Sequence, residues 1–228
     1  MKRSQINRAI ARAEAVIAEK NFLLPPFARF LPEDWTDKTE EYNEIRENML
    51  GWDVTDHGTG EFEKWGLVLF TIRNGNQKNK AYPKPYAEKL LVLEEGQYCP
   101  CHFHWRKMED IINRGGGNLM IQIHNSTPDG ALAPTAVIVS VDGRRCSVPS
   151  GGVIRLVPGE SITLTPGMYH TFWPEEGCGP VMIGEVSQCN DDKNDNRFLK
   201  PLGRFPAIEE DEIPYRLLCT EYPAARPQ

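Results

Sequence analysis

From about residue 65 onward the chain is a succession of short β-rich runs cut by turn residues, and this spacing most constrains what it can fold into. The runs cover residues 67–72, 87–93, 98–105, 118–124, 136–141, 152–157, 161–164, 168–173 and 181–186. Between them lie Asn74-Gly75, Glu95-Gly96, Gly115-Gly116-Gly117, Asp142-Gly143, Pro158-Gly159, Pro166-Gly167 and Glu176-Gly177. Many short strands with regular Gly, Pro and Asp turns predict a mainly β domain, a β-sandwich or a barrel.

The amino-terminal end reads differently. Ile6, Ala9, Ile10, Ala13, Val16 and Ile17 recur at three- and four-residue spacing, the period of one helical face. Ser4 is the expected N-cap, and Asn21 the left-handed residue that ends the helix. Pro25-Pro26 then enforces extended chain. The helix either packs on the outside of the β-domain or serves as a dimerisation arm. Residues 40–49 suggest a second short helix, and Trp52 and Trp65 ordered loops. We therefore expect a helical and loop extension over 1–60, a barrel over 61–190 and a wrapping segment over 191–228.

Composition bounds the partners. The net charge is −6, where a nucleic-acid binder usually shows a basic surface, so no nucleic-acid partner is expected. No apolar stretch approaches the ~18 residues of a membrane span. Six cysteines could pair, but Met1-Lys2-Arg3-Ser4 is followed by no apolar run of the signal-peptide type. Reduced thiols and a cytoplasmic location are the expectation. Cys99-Pro100-Cys101 has the wrong spacing for a CxxC pair.

The chemistry concentrates in Gly96 to His104, where His102 and His104 stand two apart in a β-run. Alternation in a strand aims both at one face and turns Cys101, Phe103 and Trp105 to the other. Glu109 follows a turn later, ahead of the reversal at Asn113-Arg114-Gly115-Gly116-Gly117. A second piece, Pro158-Gly159-Glu160 to Thr165-Pro166-Gly167-Met168-Tyr169-His170, supplies another histidine opening a strand. A lone strand histidine is usually satisfied locally, and His57 and His124 take that reading. Three imidazoles and one carboxylate leave open positions on an octahedral ion, which suits Mn²⁺, Fe²⁺, Co²⁺ or Ni²⁺, with Mn²⁺ the default.

These residues resemble the two motifs of the cupin superfamily. Gly96, His102, His104, Glu109 and Gly116 match the first, with four residues before the glutamate. Gly159, Gly167 and His170 match the second, although Thr165 stands for its proline and Pro174 for its asparagine. The resemblance implies a jelly-roll β-barrel with His102, His104, Glu109 and His170 as metal ligands. The wider chain, from Pro25-Pro26-Phe27 through residues 74–76, 82–89, 102–118 and 190–196, is similar to the bacterial D-lyxose isomerases. That family implies a manganese-dependent aldose–ketose isomerase, typically a homodimer. It would interconvert D-lyxose with D-xylulose, and D-mannose with D-fructose, through a cis-enediol.

A base must then carry a proton between C1 and C2. Glu185, a carboxylate in an apolar run, is the first candidate, and burial would raise its pKa. Lys89 shares strand parity with Leu91 and Leu93 and is expected inside, holding a sugar oxygen or shuttling a proton. Lys107 and Asp191 are the candidate hydroxyl contacts, Asp191 in an acidic, amide-rich loop over the pocket. The rival from another class is a cupin dioxygenase using Fe²⁺ on the same ligands. A sugar-sensing regulator would need a helix-turn-helix domain that the Pro-rich residues after the barrel do not suggest.

Overall fold

The computed structural model describes residues 1–191 and 194–226. Among the described residues the order of elements is a helix, three 3₁₀ turns, a short helix over Asn43–Glu47, then thirteen strands, with a further short helix over Phe62–Trp65 after the first strand. Helix α1 (Arg3–Glu19) lays Ile6, Ala9, Ile10, Ala13, Val16 and Ile17 onto the outer face of a sheet. Phe70, Val92 and Met182 receive them, so the apolar stripe is spent on the chain's own barrel. Ser4 is not the N-cap: Lys2 is, and Ser4 lies inside the first turn. Asp211 takes over the capping work from a distance, accepting from Ser4 N at 2.8 Å and Ser4 Oγ at 2.7 Å. Asn21 has φ 55°, the left-handed conformation expected of it.

The larger sheet has eight strands. In spatial order they are β1 (Gly51–Thr55), β2 (Leu67–Asn74), β3 (Tyr86–Leu93), β12 (Val181–Gln188), β5 (Glu109–Gly116), β10 (Ser161–Leu164), β7 (Val137–Val141) and β8 (Arg144–Val148). The smaller sheet runs β13 (Asn196–Phe198), β4 (Cys99–His104), β11 (Met168–Pro174), β6 (Leu119–Asn125) and β9 (Gly152–Leu156). Neighbouring strands pair antiparallel. Leu91, Ile111, Ile121, Leu156, Phe172 and Ile183 fill the space between the sheets. The expected barrel is present, a jelly roll with an amino-terminal helix.

Four of the strands, β1, β5, β8 and the three-residue β13, were hidden in the sequence, three of them for plain physical reasons. β1 is buried along its whole length, so Gly-Trp-Asp-Val-Thr shows no alternation. β8 is a half-exposed edge with two arginines. β5 points Glu109 and Asn113 inward, and polar groups there break the apolar pattern. Residues 113–117, expected to reverse the chain into another strand, are the end of β5 and the turn that leads into β6. Gly116 has φ +97°, and a Cβ on it would lie 2.2 Å from Pro180 O. Only glycine lets β5 reverse against β12 at that point.

The carboxy-terminal segment crosses α1 and β1. The Arg3 guanidinium, 1% exposed, pairs with Glu210 at 2.7 Å and also with Glu221. Leu218 bridges to Trp52, and Arg204 pairs with Asp53 at 2.6 Å.

Candidate metal centre and active site

The two sheets each contribute to one polar cavity inside the barrel. β4 supplies His102 and His104, and β11 supplies His170, directly opposite His102 in register. The larger sheet supplies Glu109 on β5, Glu185 on β12 and Lys89 on β3; Glu185 and Lys89 are cross-strand partners. The register between β4 and β11 slips once, setting Cys99 against Phe172 and His102 against His170. That extra residue is a bulge around Pro100 and Cys101, a place where a strand tolerates proline. It turns Cys99 into the cavity beside the histidines, which simple alternation does not predict.

One nitrogen from each of His102, His104 and His170 lies within 4.8 Å of the others, and all three residues are buried. The Nδ1–H of His102 donates to Pro100 O at 2.7 Å, and that of His170 to Met168 O at 3.1 Å. Committing Nδ1–H to a carbonyl selects the tautomer whose Nε2 lone pair faces the cavity, the usual support for a metal-ligating histidine. His170 Nε2 makes no hydrogen bond, although Glu109 Oε1 lies 3.2 Å away. His104 Nδ1 makes none either, and its Nε2 is 3.3 Å from Glu109 Oε2. Burial, and then each other's charge, pull His102 well below the ordinary histidine range; burial also lowers His104. Imidazoles with orphaned buried nitrogens around a carboxylate, His102 and His104 among them held neutral, fit a divalent cation. Burial pushes the Cys99 thiol far up, so it stays protonated and offers no thiolate.

Around Glu109 the charges form a buried quartet. Lys107 Nζ is 2.7 Å from Glu109 Oε2 and 2.8 Å from Glu185 Oε1. Lys89 Nζ is 3.2 Å from Glu185 Oε1, and both lysines are under 5% exposed. Burial alone would raise both carboxylates. For Glu109 the Lys107 ammonium and His104 outweigh it, and hold the carboxyl well below its usual value. For Glu185 the ammoniums of Lys107 and then Lys89 win. The expectation that burial raises Glu185 is therefore corrected: two lysines distant in sequence reverse the sign.

Lys107, expected as a hydroxyl contact, is buried and joins the Glu109 carboxylate to Glu185. Asp195 holds it there, accepting from Arg106 N and Lys107 N at 3.0 Å each. Asp191 is not brought to the metal cavity; it accepts from Asn194 Nδ2 and lines a neighbouring cleft with Gln77 and Asn76. Its neighbour Asn190 reaches Lys89 instead. Asp192 and Lys193 of the same loop lie outside the described residues. His57, Phe198 and Arg204 also line the metal cavity and were not foreseen. They come from segments without periodicity, and His57 fits its local reading in part, since its Nδ1 donates to Trp65 O at 3.0 Å.

Burial, then the Arg204 charge, pull His57 down from 6.5 to about 4. Between those values the unfolded chain takes up a proton that the folded chain refuses, so stability falls as pH falls through that window. From pH 7 to pH 4.5 this one group removes on the order of 2–3 kcal/mol. His57→Asn tolerates the left-handed backbone (φ 56°) and is expected to flatten the slope, read by urea unfolding of metal-free protein at both pH values.

A jelly-roll barrel carrying a buried three-histidine site opposite a glutamate defines a cupin, here one able to hold a metal ion. The D-lyxose isomerase family model matches residues 1–222, and the chain belongs to that family of aldose–ketose isomerases. The D-lyxose/D-mannose isomerase of Serratia proteamaculans is 52% identical over 223 residues, covering 97% of this chain and 98% of the relative. That of Escherichia coli O157:H7 is 47% identical over the same span. Among solved structures, Cellulomonas parahominis L-ribose isomerase with L-ribose superposes with a TM-score of 0.57 at 15% identity, covering 92% and 98% of the two chains. That likeness speaks for the fold alone. Family membership sets the dioxygenase reading aside. No helix among the described residues is long and apolar enough to cross a membrane.

Proposed function

We propose that the chain is a metal-dependent isomerase interconverting D-lyxose with D-xylulose, and D-mannose with D-fructose, by proton transfer through a cis-enediol. The observation that carries it is a buried carboxylate, Glu185, held by two lysines beside a three-histidine site. The two relatives named D-lyxose/D-mannose isomerase support the two aldoses. His102, His104, Glu109 and His170 would hold the ion, with Mn²⁺ preferred and Co²⁺, Fe²⁺ or Ni²⁺ as substitutes. When bound, it supplies Lewis acidity, polarising the sugar carbonyl and stabilising negative charge on the neighbouring oxygens.

The residues do the rest. Glu185 takes the proton from C2 of the aldose; the C–H electron pair becomes the C1–C2 double bond and the carbonyl pair passes to O1, which takes up the proton that O2 gives up. Glu185 then returns its proton to C1, the double-bond pair forming that C–H bond, and the O2–H pair becomes the carbonyl at C2. The ammoniums of Lys107 and Lys89 keep Glu185 ionised at neutral pH, at some cost in basicity. Lys89 donates to a sugar oxygen, and Lys107 keeps the carboxylates of Glu109 and Glu185 from repelling each other. The same proposal includes a homodimer in the cytoplasm that acts on free sugars, not on nucleic acid.

Turnover of D-lyxose in D₂O separates this path from a hydride shift. Deuterium at C1 of the xylulose is the expected result, because a proton on Glu185 exchanges with solvent. Product free of deuterium at every conversion would mean direct hydride transfer.

A further inference from the structure

The cluster around Glu185 leans on one neutral side chain. Asn190 Oδ1 accepts from Lys89 Nζ at 2.7 Å and lies 3.5 Å from Lys107 Nζ. Each lysine is thus shared between this amide oxygen and Glu185 Oε1. Asn190 sits two residues past the end of β12, where no strand pairing places it. Its backbone is gripped instead: Asn190 N donates to Asn74 Oδ1 at 3.0 Å, and Asn74 Nδ2 donates to Asn190 O at 3.4 Å. Asn74, 6% exposed at the end of β2, is tied in turn to Asn48, which is 3% exposed. Asn48 Nδ2 donates to Asn74 O at 3.0 Å, and Asn74 Nδ2 also donates to Asn48 O at 3.3 Å.

We propose that Asn190 is a positioning residue for the isomerisation, its amide oxygen fixing the Lys89 ammonium against Glu185 while Asn74 fixes Asn190. The inference rests on the reading of Glu185 as the base. A lysine has a flexible four-carbon stem, and an ammonium that must stay on one carboxylate oxygen needs a second acceptor to hold it. Asn190 supplies that acceptor without entering the ladder of the sheet. Its anchorage runs through backbone atoms, so shortening its side chain leaves the loop tied to Asn74.

The test is steady-state kinetics of the metal-loaded enzyme on D-lyxose, with kcat and KM read separately and thermal unfolding alongside. Asn190→Ala is expected to lower kcat about tenfold, the loss of one hydrogen bond to a charged group, with KM and melting temperature little changed. Combined with Lys89→Met, it is expected to add nothing to the loss from Lys89→Met alone, because it acts through that lysine. Asn190→Asp, isosteric and still an acceptor, is expected to recover most of the lost kcat. An unimpaired Asn190→Ala, multiplying losses in the double variant, or no recovery by Asn190→Asp would overturn the role. Normal turnover by Glu185→Gln beside a slow Asn190→Ala would instead sink the base assignment alone.

Discussion

Replacing His170 by alanine is expected to abolish metal retention and turnover while the barrel stays folded. His170 stands mid-strand, paired on one side with His102 and on the other with Ile123. Those ladders are backbone hydrogen bonds and do not need the imidazole. Its Nε2 is a buried nitrogen without a hydrogen bond, so removing it also removes an unsatisfied polar atom. The cost to stability is about 1–2 kcal/mol, within the range for an ordinary substitution. Metal affinity is expected to fall by more than about a hundredfold, since losing a supporting partner alone costs 10–100-fold. Elemental analysis after dialysis, circular dichroism and ketose formation check the three parts. Full activity in this variant would refute the metal assignment.

Glu185→Gln carries the second large effect, and it separates chemistry from metal binding. The substitution keeps shape and one acceptor oxygen for Lys89 and Lys107, but it cannot take a proton. Turnover is expected to fall by about 10²–10⁴, the usual worth of a general base. Metal content is expected to be unchanged, because Glu185 is not one of the four proposed ligands and is paired with Lys89 and Lys107. Some stability is expected to go as well, since the buried ammoniums of Lys89 and Lys107 then lose the negative charge they share. A variant that keeps its metal and its rate would show that another group moves the proton.

What was legible in the sequence was whatever obeys a local period. His102 and His104 could be placed because strand alternation carries over two residues, and the stripe of α1 because helical spacing carries over a turn. Lys89 followed from parity with Leu91, and Glu185 from being a carboxylate among apolar neighbours. The bulge at Pro100 escaped because it breaks that same alternation, and it brought Cys99 into the cavity. Asn190, His57 and Arg204 escaped because aperiodic segments deliver them. The sign of the Glu185 shift escaped for a related reason: Lys107 lies 78 positions away and meets it only through the fold. Asp191 was chosen for composition alone, and composition does not say which residue of a loop turns inward.

The central claim is that this barrel isomerises an aldose with the help of a metal ion held by its histidines. The most direct measurement is ketose formation from D-lyxose and D-mannose by metal-stripped protein, with and without added Mn²⁺. The account predicts almost no turnover in the stripped protein and recovery on adding Mn²⁺, with the two rates ranking the sugars. Undiminished turnover without metal, or no ketose from either sugar with metal bound, would contradict it.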